Sequence, residues 1–119
     1  GTGGLTVLVC GGREFRDSAM AFRQLDRLHR ERPISQVIHG GARGADTIGG
    51  DWARMRRVPV KVFPAQWDKY GPSAGPRRNK QMLVEGKPDL VVALPGGRGT
   101  ANMVGQARDA GVEVIEVRP

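Results

Sequence analysis

Apolar residues along this chain gather in short, nearly uninterrupted runs that are rich in β-branched side chains. Runs of this kind are typical of strands buried on both faces, whereas a half-buried strand alternates apolar and polar residues. The pattern therefore predicts five strands, at Leu5–Cys10 and at residues 36–39, 60–63, 90–94 and 112–117.

Between most of these runs, apolar residues recur at the spacing of one helix face. Ser18 is predicted to cap the first helix. Residues 64–75 are polar and contain proline and glycine, so a long loop is expected there. Gly49 and Gly50 weaken the second helix by about 1 kcal/mol each relative to alanine, or they let that helix sit close to the sheet. The helices are predicted at residues 18–30, 45–57, 76–85 and 100–110.

Strands that alternate with helices form a parallel sheet joined by right-handed crossovers. The order of the elements therefore predicts a single Rossmann-like α/β domain over residues 1–119, with three layers and a mostly parallel five-stranded sheet. Residues 1–4 are expected to be a flexible leader.

Composition fits a single domain with an unusual amount of glycine. A chain of 119 residues can bury a core without disulfides or metals, and 18 glycines is about twice the usual frequency. The single cysteine, Cys10, excludes an intrachain disulfide, fits a cytoplasmic protein and is expected to be buried. No apolar stretch reaches the length of a membrane helix and no secretory signal is recognised, so no membrane partner is expected.

Three glycine clusters follow a predicted strand and precede a predicted helix. Because the carboxyl ends of parallel strands meet at one edge, these loops are expected to lie together, where open α/β sheets bind ligands. Glycine permits close approach of the backbone, and free N–H groups at a helix N-terminus attract an anion. Any one loop could be a tight turn, but three at one edge favour a ligand site. The loops are residues 11–13, 40–46 and 95–100.

Each of these loops carries one arginine, and the three together suit a phosphate or diphosphate. They are Arg13, Arg43 and Arg98. Thr100 can cap its helix or bind a phosphate oxygen, and Asp46 can cap the second helix or accept hydrogen bonds from a ribose. The loops match neither the Walker pattern nor the dinucleotide fingerprint, so they indicate phosphate without naming the molecule, and no cofactor is predicted.

The segment from Trp67 to Lys80 is long and combines aromatic and basic residues. It could cover the site, with an aromatic ring stacked on a base and Arg77 or Arg78 reaching a phosphate. The alternative is that Trp67 fills a gap in the core and the basic run is solvated.

Other polar residues offer weaker candidates. His29 and His39 form no metal pattern with the lone cysteine, so no metal is predicted. His29 is expected at the surface, whereas His39 could contact a base or ribose or could be structural. Glu14 is expected to pair with a neighbouring arginine, and Asp17 to be a helix N-terminal charge.

The glycine loops and the segment from Trp67 to Lys80 resemble those of the SLOG superfamily, and within it the branch related to YspA and YpsA. The resemblance covers nearly the whole chain and rests on Gly11-Gly12-Arg13-Glu14-Phe15, His39-Gly40-Gly41-Ala42-Arg43-Gly44-Ala45-Asp46, Trp67, Ala74-Gly75-Pro76-Arg77-Arg78-Asn79 and Pro95-Gly96-Gly97-Arg98-Gly99-Thr100. It implies a Rossmann-like domain that binds a nucleotide or nucleotide-derived ligand, often in phage and conflict settings. Relatives of this type usually self-associate, so a homo-oligomer is expected.

Two relatives point to different functions. LOG enzymes share Pro-Gly-Gly-x-Gly-Thr and cleave a nucleoside monophosphate, but where they have a glutamate pair this chain has Asn102 and Met103, which cannot ionise. No catalytic residue is therefore assigned, although Asn102 could bind a ribose hydroxyl. DNA-processing protein A shares a loop like residues 40–46 and binds single-stranded DNA. The net charge of +7 fits that function, whereas the few aromatic residues weigh against it.

Three functions therefore stay open, namely a nucleotide-binding sensor or sink, an N-glycosidic hydrolase of nucleotides and a single-stranded nucleic-acid binder. The first is favoured. The residues predicted to bind the ligand are Gly11, Gly12, Arg13, Gly40, Gly41, Arg43, Gly44, Asp46, Arg77, Arg78, Asn79, Pro95, Gly96, Gly97, Arg98, Gly99, Thr100 and Asn102.

Overall fold

The computed structural model describes residues 4–119. Of the predicted leader, residues 1–3 lie outside the described residues. Gly4 lies against Ser35, because a Cβ built on Gly4 would be 2.5 Å from the Ser35 Cβ. The elements in chain order are β1 (Leu5–Cys10), α1 (Ser18–Glu31), β2 (Ile34–His39), α2 (Ala45–Met55), β3 (Val60–Val62), α3 (Trp67–Tyr70), a 3-10 turn (Gly71–Ser73), α4 (Ala74–Gly86), β4 (Leu90–Ala93), α5 (Arg98–Asp109) and β5 (Glu113–Glu116).

All five strands pair in parallel, in the order β3-β2-β1-β4-β5. The central strand β1 lies between β2 and β4, so that Leu8 is opposite Ile38 on one side and Val91 on the other. The chain therefore changes its direction of winding between β1 and β4, and this is the switch point at which such sheets bind ligands. The predicted α/β fold with a five-stranded parallel sheet is confirmed.

Helices cover both faces of the sheet and create two cores. Val7 and Val9 of β1 pack with α1 and α2, whereas Leu8 and Cys10 pack with α4 and α5. An apolar side chain is buried whichever way it points, and this explains why the sequence of β1 is continuously apolar rather than alternating.

The two edge strands are less buried than the sequence predicts. Val62 of β3 is 46% exposed and Ile115 of β5 is 36% exposed. An edge strand has one neighbouring strand instead of two, so its apolar side chains are only partly covered. Burial on both faces therefore holds for the central part of the sheet and is wrong for its edges.

The glycine pair in α2 brings that helix close to the sheet. A Cβ on Gly49 would be 2.8 Å from the Val9 Cβ, and one on Gly50 would be 2.8 Å from the His39 Nε2. Real Cβ atoms do not approach other atoms so closely, so side chains at these positions would push the helix outwards. The second of the two interpretations of this pair, close packing, is confirmed.

Several predicted boundaries are wrong. Asp17, not Ser18, caps α1, because its carboxylate accepts a hydrogen bond from the Met20 N–H at 3.0 Å. The predicted loop at 64–75 contains α3 and the 3-10 turn.

None of the helices within residues 4–119 has the length and apolar character needed to cross a membrane.

Helix α4 starts two residues before the predicted position, at Ala74. Pro76 is therefore the third residue of α4 and not its first. Proline is tolerated there because the N–H groups of the first turn have no acceptor within the helix. Helix α5 likewise starts at Arg98, two residues before Thr100. Thr100 therefore does not occupy the capping position that was one of its two predicted roles.

Candidate functional site

A cavity of about 600 Å³ opens at the switch point, beyond the carboxyl ends of β1 and β4. Small-molecule sites have volumes of about 300–1,000 Å³. We call this the switch-point cavity. The predicted residues that line it are Gly11, Gly12, Arg13, Asp46, Arg78, Asn79, Gly97, Arg98, Gly99, Thr100 and Asn102.

The other predicted residues lie around this cavity rather than on its wall. A second, adjoining cavity of about 490 Å³ is lined by Gly40, Gly41 and Arg43, and it shares Arg13 and Arg78 with the first. The structure therefore brings parts of all three loops to one edge of the sheet, as the topology requires.

The loops after β1 and β4 contact each other directly through their backbones. The Gly12 N–H donates to the Pro95 carbonyl at 2.8 Å. A Cβ on Gly96 would lie 2.6 Å from the Gly12 nitrogen, and one on Gly44 would lie 2.4 Å from the Gly12 oxygen. Gly44 also has a φ of +81°, which glycine adopts readily. Pro95, Gly96 and Gly44 therefore hold the loops together from behind the cavity wall.

The first turn of α5 is open to the switch-point cavity. Gly97 precedes this turn and provides no side-chain cap. Within residues 4–119, the N–H groups of Arg98, Gly99 and Thr100 donate to no backbone acceptor. Unpaired N–H groups and the positive end of the helix dipole together attract an anion. The anion cradle predicted from the sequence therefore has a structural counterpart at this loop.

The loop after β2 uses its N–H groups differently. Those of Gly40 and Ala42 donate to the Oδ2 atom of Asp46 at 3.1 and 3.2 Å. That of Gly41 donates to the Nδ1 atom of His39 at 2.9 Å. Buried side chains thus occupy three of the N–H groups of this loop, which are not available to a ligand. His39 therefore has a structural role.

Asp46 lies below the cavity and is only 6% exposed. Burial raises the pKa of its carboxyl, although the loop N–H groups and the nearby charge of Arg78 act in the opposite direction. Asp46 neither caps α2 nor projects freely, because its Oδ2 closes the loop that precedes the helix. Burial and the charge of Asp46 also raise the pKa of the Cys10 thiol to about 12. The predicted burial of Cys10 is confirmed.

Arg78 connects α4 to the loop after β2. Its Nη1 donates to the Gly40 carbonyl at 2.7 Å, and its Nε donates to the Oδ1 atom of Asn79 at 3.0 Å. Burial lowers the pKa of the Arg78 guanidinium, and the charge of Asp46 opposes this shift. The arginine remains charged at neutral pH, since an arginine side chain is effectively always protonated in proteins.

Trp67 lies at the boundary of the two cavities and lines both. Its side chain is 46% exposed, and the Arg13 guanidinium lies over its ring, 5.5 Å from the centroid. Such a cation–π contact stabilises the two side chains relative to each other. An indole this exposed does not fill a gap in the core, so that alternative is wrong. The position fits the predicted cover over the site.

Two predicted arginines lie outside the switch-point cavity. Arg43 pairs with Glu14 at 2.5 Å, which confirms the pairing predicted for Glu14. Arg77 lies over the Tyr70 ring, 4.3 Å from its centroid. Of the two neighbouring arginines in α4, it is therefore Arg78 that lines the cavity.

Amide side chains of α4 and α5 form a hydrogen-bond network at the cavity. Asn102 lines the cavity, and its Oδ1 accepts hydrogen bonds from Asn79 at 3.1 Å and from Gln106 at 2.8 Å. Gln106 was not among the predicted residues. Its spacing of four residues from Asn102 on one helix was the signal that could have identified it. Met103 is almost fully buried and belongs to the core as well as the cavity wall.

The histidines do not form a metal site. Within residues 4–119, no three His, Cys, Asp or Glu side chains are grouped so as to hold a metal ion. The prediction that His29 is a surface residue holds only in part, because its side chain is half-buried. Its Nδ1 accepts the Ile34 N–H at 2.9 Å, and its ring meets the Trp52 ring edge-on at 5.4 Å. His29 thus connects the end of α1 to the start of β2 and to the buried face of α2.

Comparison with known proteins identifies the family. The profile of the YspA, cpYpsA-related SLOG family matches residues 5–70, which extend from β1 through α3. The chain is also similar to the Gene 61 protein of Mycobacterium phage D29. The two are 40% identical over 117 residues, and the similarity covers 92% of this chain and 93% of the phage protein. The chain therefore belongs to the YspA, cpYpsA-related SLOG family, as its glycine loops predict.

Proposed function

We propose that the protein binds a phosphorylated, nucleotide-derived ligand in the switch-point cavity and holds it without turnover, as a sensor or a sink does. The observation that carries this proposal is the uncapped first turn of α5, which opens into the cavity beside Arg98. Membership of a SLOG family supports a ligand related to nucleotides.

The charges around this helix start suit a phosphate. Arg13 and Arg98 line the cavity, and within residues 4–119 neither forms an ion pair with a carboxylate. A guanidinium without such a partner is available to bind two phosphate oxygens at once. The phosphate is expected at the N–H groups of residues 98–100, with the two arginines on its outer side.

Trp67 suits the base of the same ligand. A half-exposed indole at the mouth of the cavity offers a flat surface on which a base can stack. Stacking on aromatic side chains contributes about 1–3 kcal/mol per base. For a base to stack on Trp67, the Arg13 guanidinium that now lies over this ring must either leave it and bind the phosphate, or stay on one face of the ring while the base stacks on the other.

Binding without turnover is proposed because few carboxyl groups that could act as an acid or a base line the cavity. Asp46 is the one carboxylate among the described residues that line it. Its Oδ2 is held by two loop N–H groups. At the positions of the LOG glutamate pair, Asn102 and Met103 cannot donate or accept a proton as a carboxyl group does.

The proposal is tested by ligand binding to the whole chain and to matched arginine variants. Thermal unfolding is measured with AMP, ADP-ribose, NAD, cyclic and oligomeric nucleotides and a short single-stranded DNA. A ligand at a hundred times its Kd adds about 2.7 kcal/mol to stability. Arg13→Ala and Arg98→Ala should each weaken binding of the active compound by at least about tenfold, since hydrogen bonds to charged groups contribute about 1.5–3 kcal/mol.

Arg23→Ala is the matched control. Arg23 is exposed on α1, which contributes no residue to the lining of either cavity, so this variant loses the same charge outside the site and its affinity should equal that of the parent. Equal losses in all three variants would mean that net charge, and not the cavity, binds the ligand. A response to DNA alone, with steep salt dependence, would instead support the nucleic-acid binder and overturn the proposal.

One observation favours a second candidate, an N-glycosidic hydrolase. The raised pKa of Asp46 is a property of carboxyl groups that act as general acids. This function requires the release of free base and ribose 5-phosphate from AMP, and Asp46→Asn should abolish the release. Asparagine at this position keeps an oxygen that can accept the N–H groups of Gly40 and Ala42, so the variant tests the proton and not the loop. Absence of release in the parent protein rejects this candidate.

A further inference from the structure

The orientation of the Asn79 amide is set by Arg78. A guanidinium can only donate hydrogen bonds. The Arg78 Nε lies 3.0 Å from one end of the Asn79 amide, so that end must be the oxygen. The other end, Nδ2, therefore donates. It lies 3.1 Å from the Asn102 amide and 3.5 Å from the Gly99 carbonyl.

Gln106 fixes Asn102 in the same sense by an independent route. A backbone carbonyl can only accept, and the Pro76 carbonyl lies 3.1 Å from the Gln106 amide. That end of Gln106 is therefore Nε2, which also lies 2.8 Å from Asn102. Two donors thus converge on a single atom of Asn102. This atom must be Oδ1, because an amide nitrogen would repel both of them.

The remaining polar atom of Asn102, Nδ2, is consequently directed away from this network. Within residues 4–119 it donates to no protein acceptor. No buried side-chain nitrogen or oxygen atom in this range lacks a partner, so an unpaired Nδ2 must be accessible. Since Asn102 lines the switch-point cavity, its two N–H bonds are available to whatever binds there.

Asn102 lies four residues after Arg98, so the two side chains leave α5 from the same face. Four residues correspond to a rise of about 6 Å along the helix. Three kinds of donor lie along this part of α5, namely the first-turn N–H groups, the Arg98 guanidinium and the Asn102 Nδ2. A ligand that satisfies them all has its phosphate at the helix start and an acceptor atom about one turn further along.

We propose that Asn102 determines specificity by donating to an acceptor atom in the organic part of a phosphate ester, about one helical turn from the phosphate. Asn79 is the positioning residue that holds the Asn102 amide in this orientation. The inference rests on the proposed function, because it requires the phosphate to lie at the start of α5. A ribose oxygen of a nucleoside monophosphate meets this description, whereas inorganic phosphate has no such atom.

Nuclear magnetic resonance of the uniformly 15N-labelled chain tests this directly, with AMP and inorganic phosphate as the probes. Both probes should shift the backbone amide signals of residues 97–100, and AMP alone should also shift the side-chain NH2 signal of Asn102. Shifts at the backbone amides with an unmoved Asn102 signal overturn the inference and leave the proposed function standing. No shift at any cavity residue with either probe overturns the inference, whereas the proposed function fails only if no compound of the nucleotide panel binds.

Two variants at one position separate recognition from structure. Asn102→Asp keeps an oxygen for Asn79 and Gln106 but has no donor, whereas Asn102→Ala loses both. If Asn102 donates to the ligand, both variants should bind AMP about two- to tenfold more weakly, as expected for a lost hydrogen bond between uncharged groups. If Asn102 only maintains the network, Asn102→Asp should bind like the parent and Asn102→Ala should be the weaker and less stable protein. That second result overturns the inference.

The added charge of Asn102→Asp is controlled with salt. Repulsion between an aspartate and a phosphate is screened over about 3 Å at 1 M salt and about 10 Å at 0.1 M. The loss of affinity should therefore persist at high salt if it comes from a lost hydrogen bond, and a loss that disappears overturns the assignment.

Asn79→Asp tests the positioning role without a ligand. It replaces the donor that faces the Asn102 Oδ1 with an acceptor, so the Asn102 amide loses one of its two donors and its NH2 signal should shift in the free protein. An Asn102 signal that is unchanged in this variant removes Asn79 from the mechanism.

Discussion

In the loop of residues 95–100, stability is expected to respond differently when a methyl group is added to each of two glycines. A Cβ on Gly96 would lie 2.6 Å from the Gly12 nitrogen and 2.9 Å from the Gly11 carbonyl carbon. These are backbone atoms, so the clash cannot be relieved by turning a side chain. A Cβ on Gly99 has nothing within 4 Å. We therefore compare Gly96→Ala with Gly99→Ala.

The magnitude follows from what must move. Extra atoms forced into a packed site typically reduce stability by about 1–3 kcal/mol. With an unfolding entropy of about 2.1 cal/mol/K per residue, 1 kcal/mol corresponds to about 4 °C in Tm for a chain of 119 residues. Gly96→Ala should therefore lower Tm by about 4–12 °C. Gly99 lies in the first turn of α5, where alanine is the better helix former by up to about 1 kcal/mol, so Gly99→Ala should leave Tm unchanged or raise it slightly.

Calorimetry and urea unfolding of the two variants and the parent decide the matter. The m-value should be the same in all three proteins, which shows that stability and not compactness has changed. If Gly96→Ala were as stable as the parent, the loops after β1 and β4 would not be in close contact, and the geometry of the cavity wall would be wrong. A similar loss in both variants would point to a general need for glycine flexibility in this hexapeptide.

Three further predictions concern individual side chains. The hydrogen bond from Arg56 lowers the pKa of Asp26 from 3.8 to about 2. The charged form of Asp26 therefore stabilises the fold above about pH 4, and this contribution is lost as the pH falls through about 2. In urea unfolding between about pH 2 and 5, the stability of Asp26→Asn should fall less steeply with decreasing pH than that of the parent, and an identical slope would contradict the assignment. Burial raises the pKa of Cys10 to about 12, so a thiol reagent at pH 8 should react only as the protein unfolds, and rapid labelling of the native protein would show that the site is open. Trp67 is 46% exposed whereas Trp52 is fully buried, so acrylamide should quench one of the two indoles and Trp67→Phe should abolish the accessible component; unchanged quenching would place Trp67 inside the core.

The sheet and its ligand edge could be predicted because they depend on the order of the elements. Strands alternating with helices leave few topologies once right-handed crossovers are required, so the three glycine loops had to open at one edge. Element boundaries were less predictable. Helix α4 begins at Ala74 and not at Pro76, and the sequence could not fix this start because the first turn of a helix tolerates proline. Nothing in the letters of residues 64–75 distinguishes a loop from a sequence of short helical turns.

Contacts between distant residues were the part of the site that sequence could not supply. The loop after β2 has as many glycines as a cradle requires, yet its first three N–H groups donate to Asp46 and His39. Glycine content predicts a backbone that can expose its amides, but whether they are free depends on buried acceptors nearby. Asp46 and His39 lie within six residues of those amides, but their side-chain directions are set by α2 and the sheet.

The orientation of the Asn102 amide is a second feature of the site that the sequence could not supply. Asn102 was singled out because it stands where a related enzyme has a glutamate, and its weakness as a catalyst was the obvious consequence. Its orientation depends on Asn79 and on Gln106, and both of these amides are oriented by residues of α4, so the sequence of α5 alone does not contain that information. If Asn102 donates to the ligand as we propose, the amide selects an acceptor atom at this position, whereas the carboxylate of a glutamate would select a donor such as the hydrogen of a hydroxyl group.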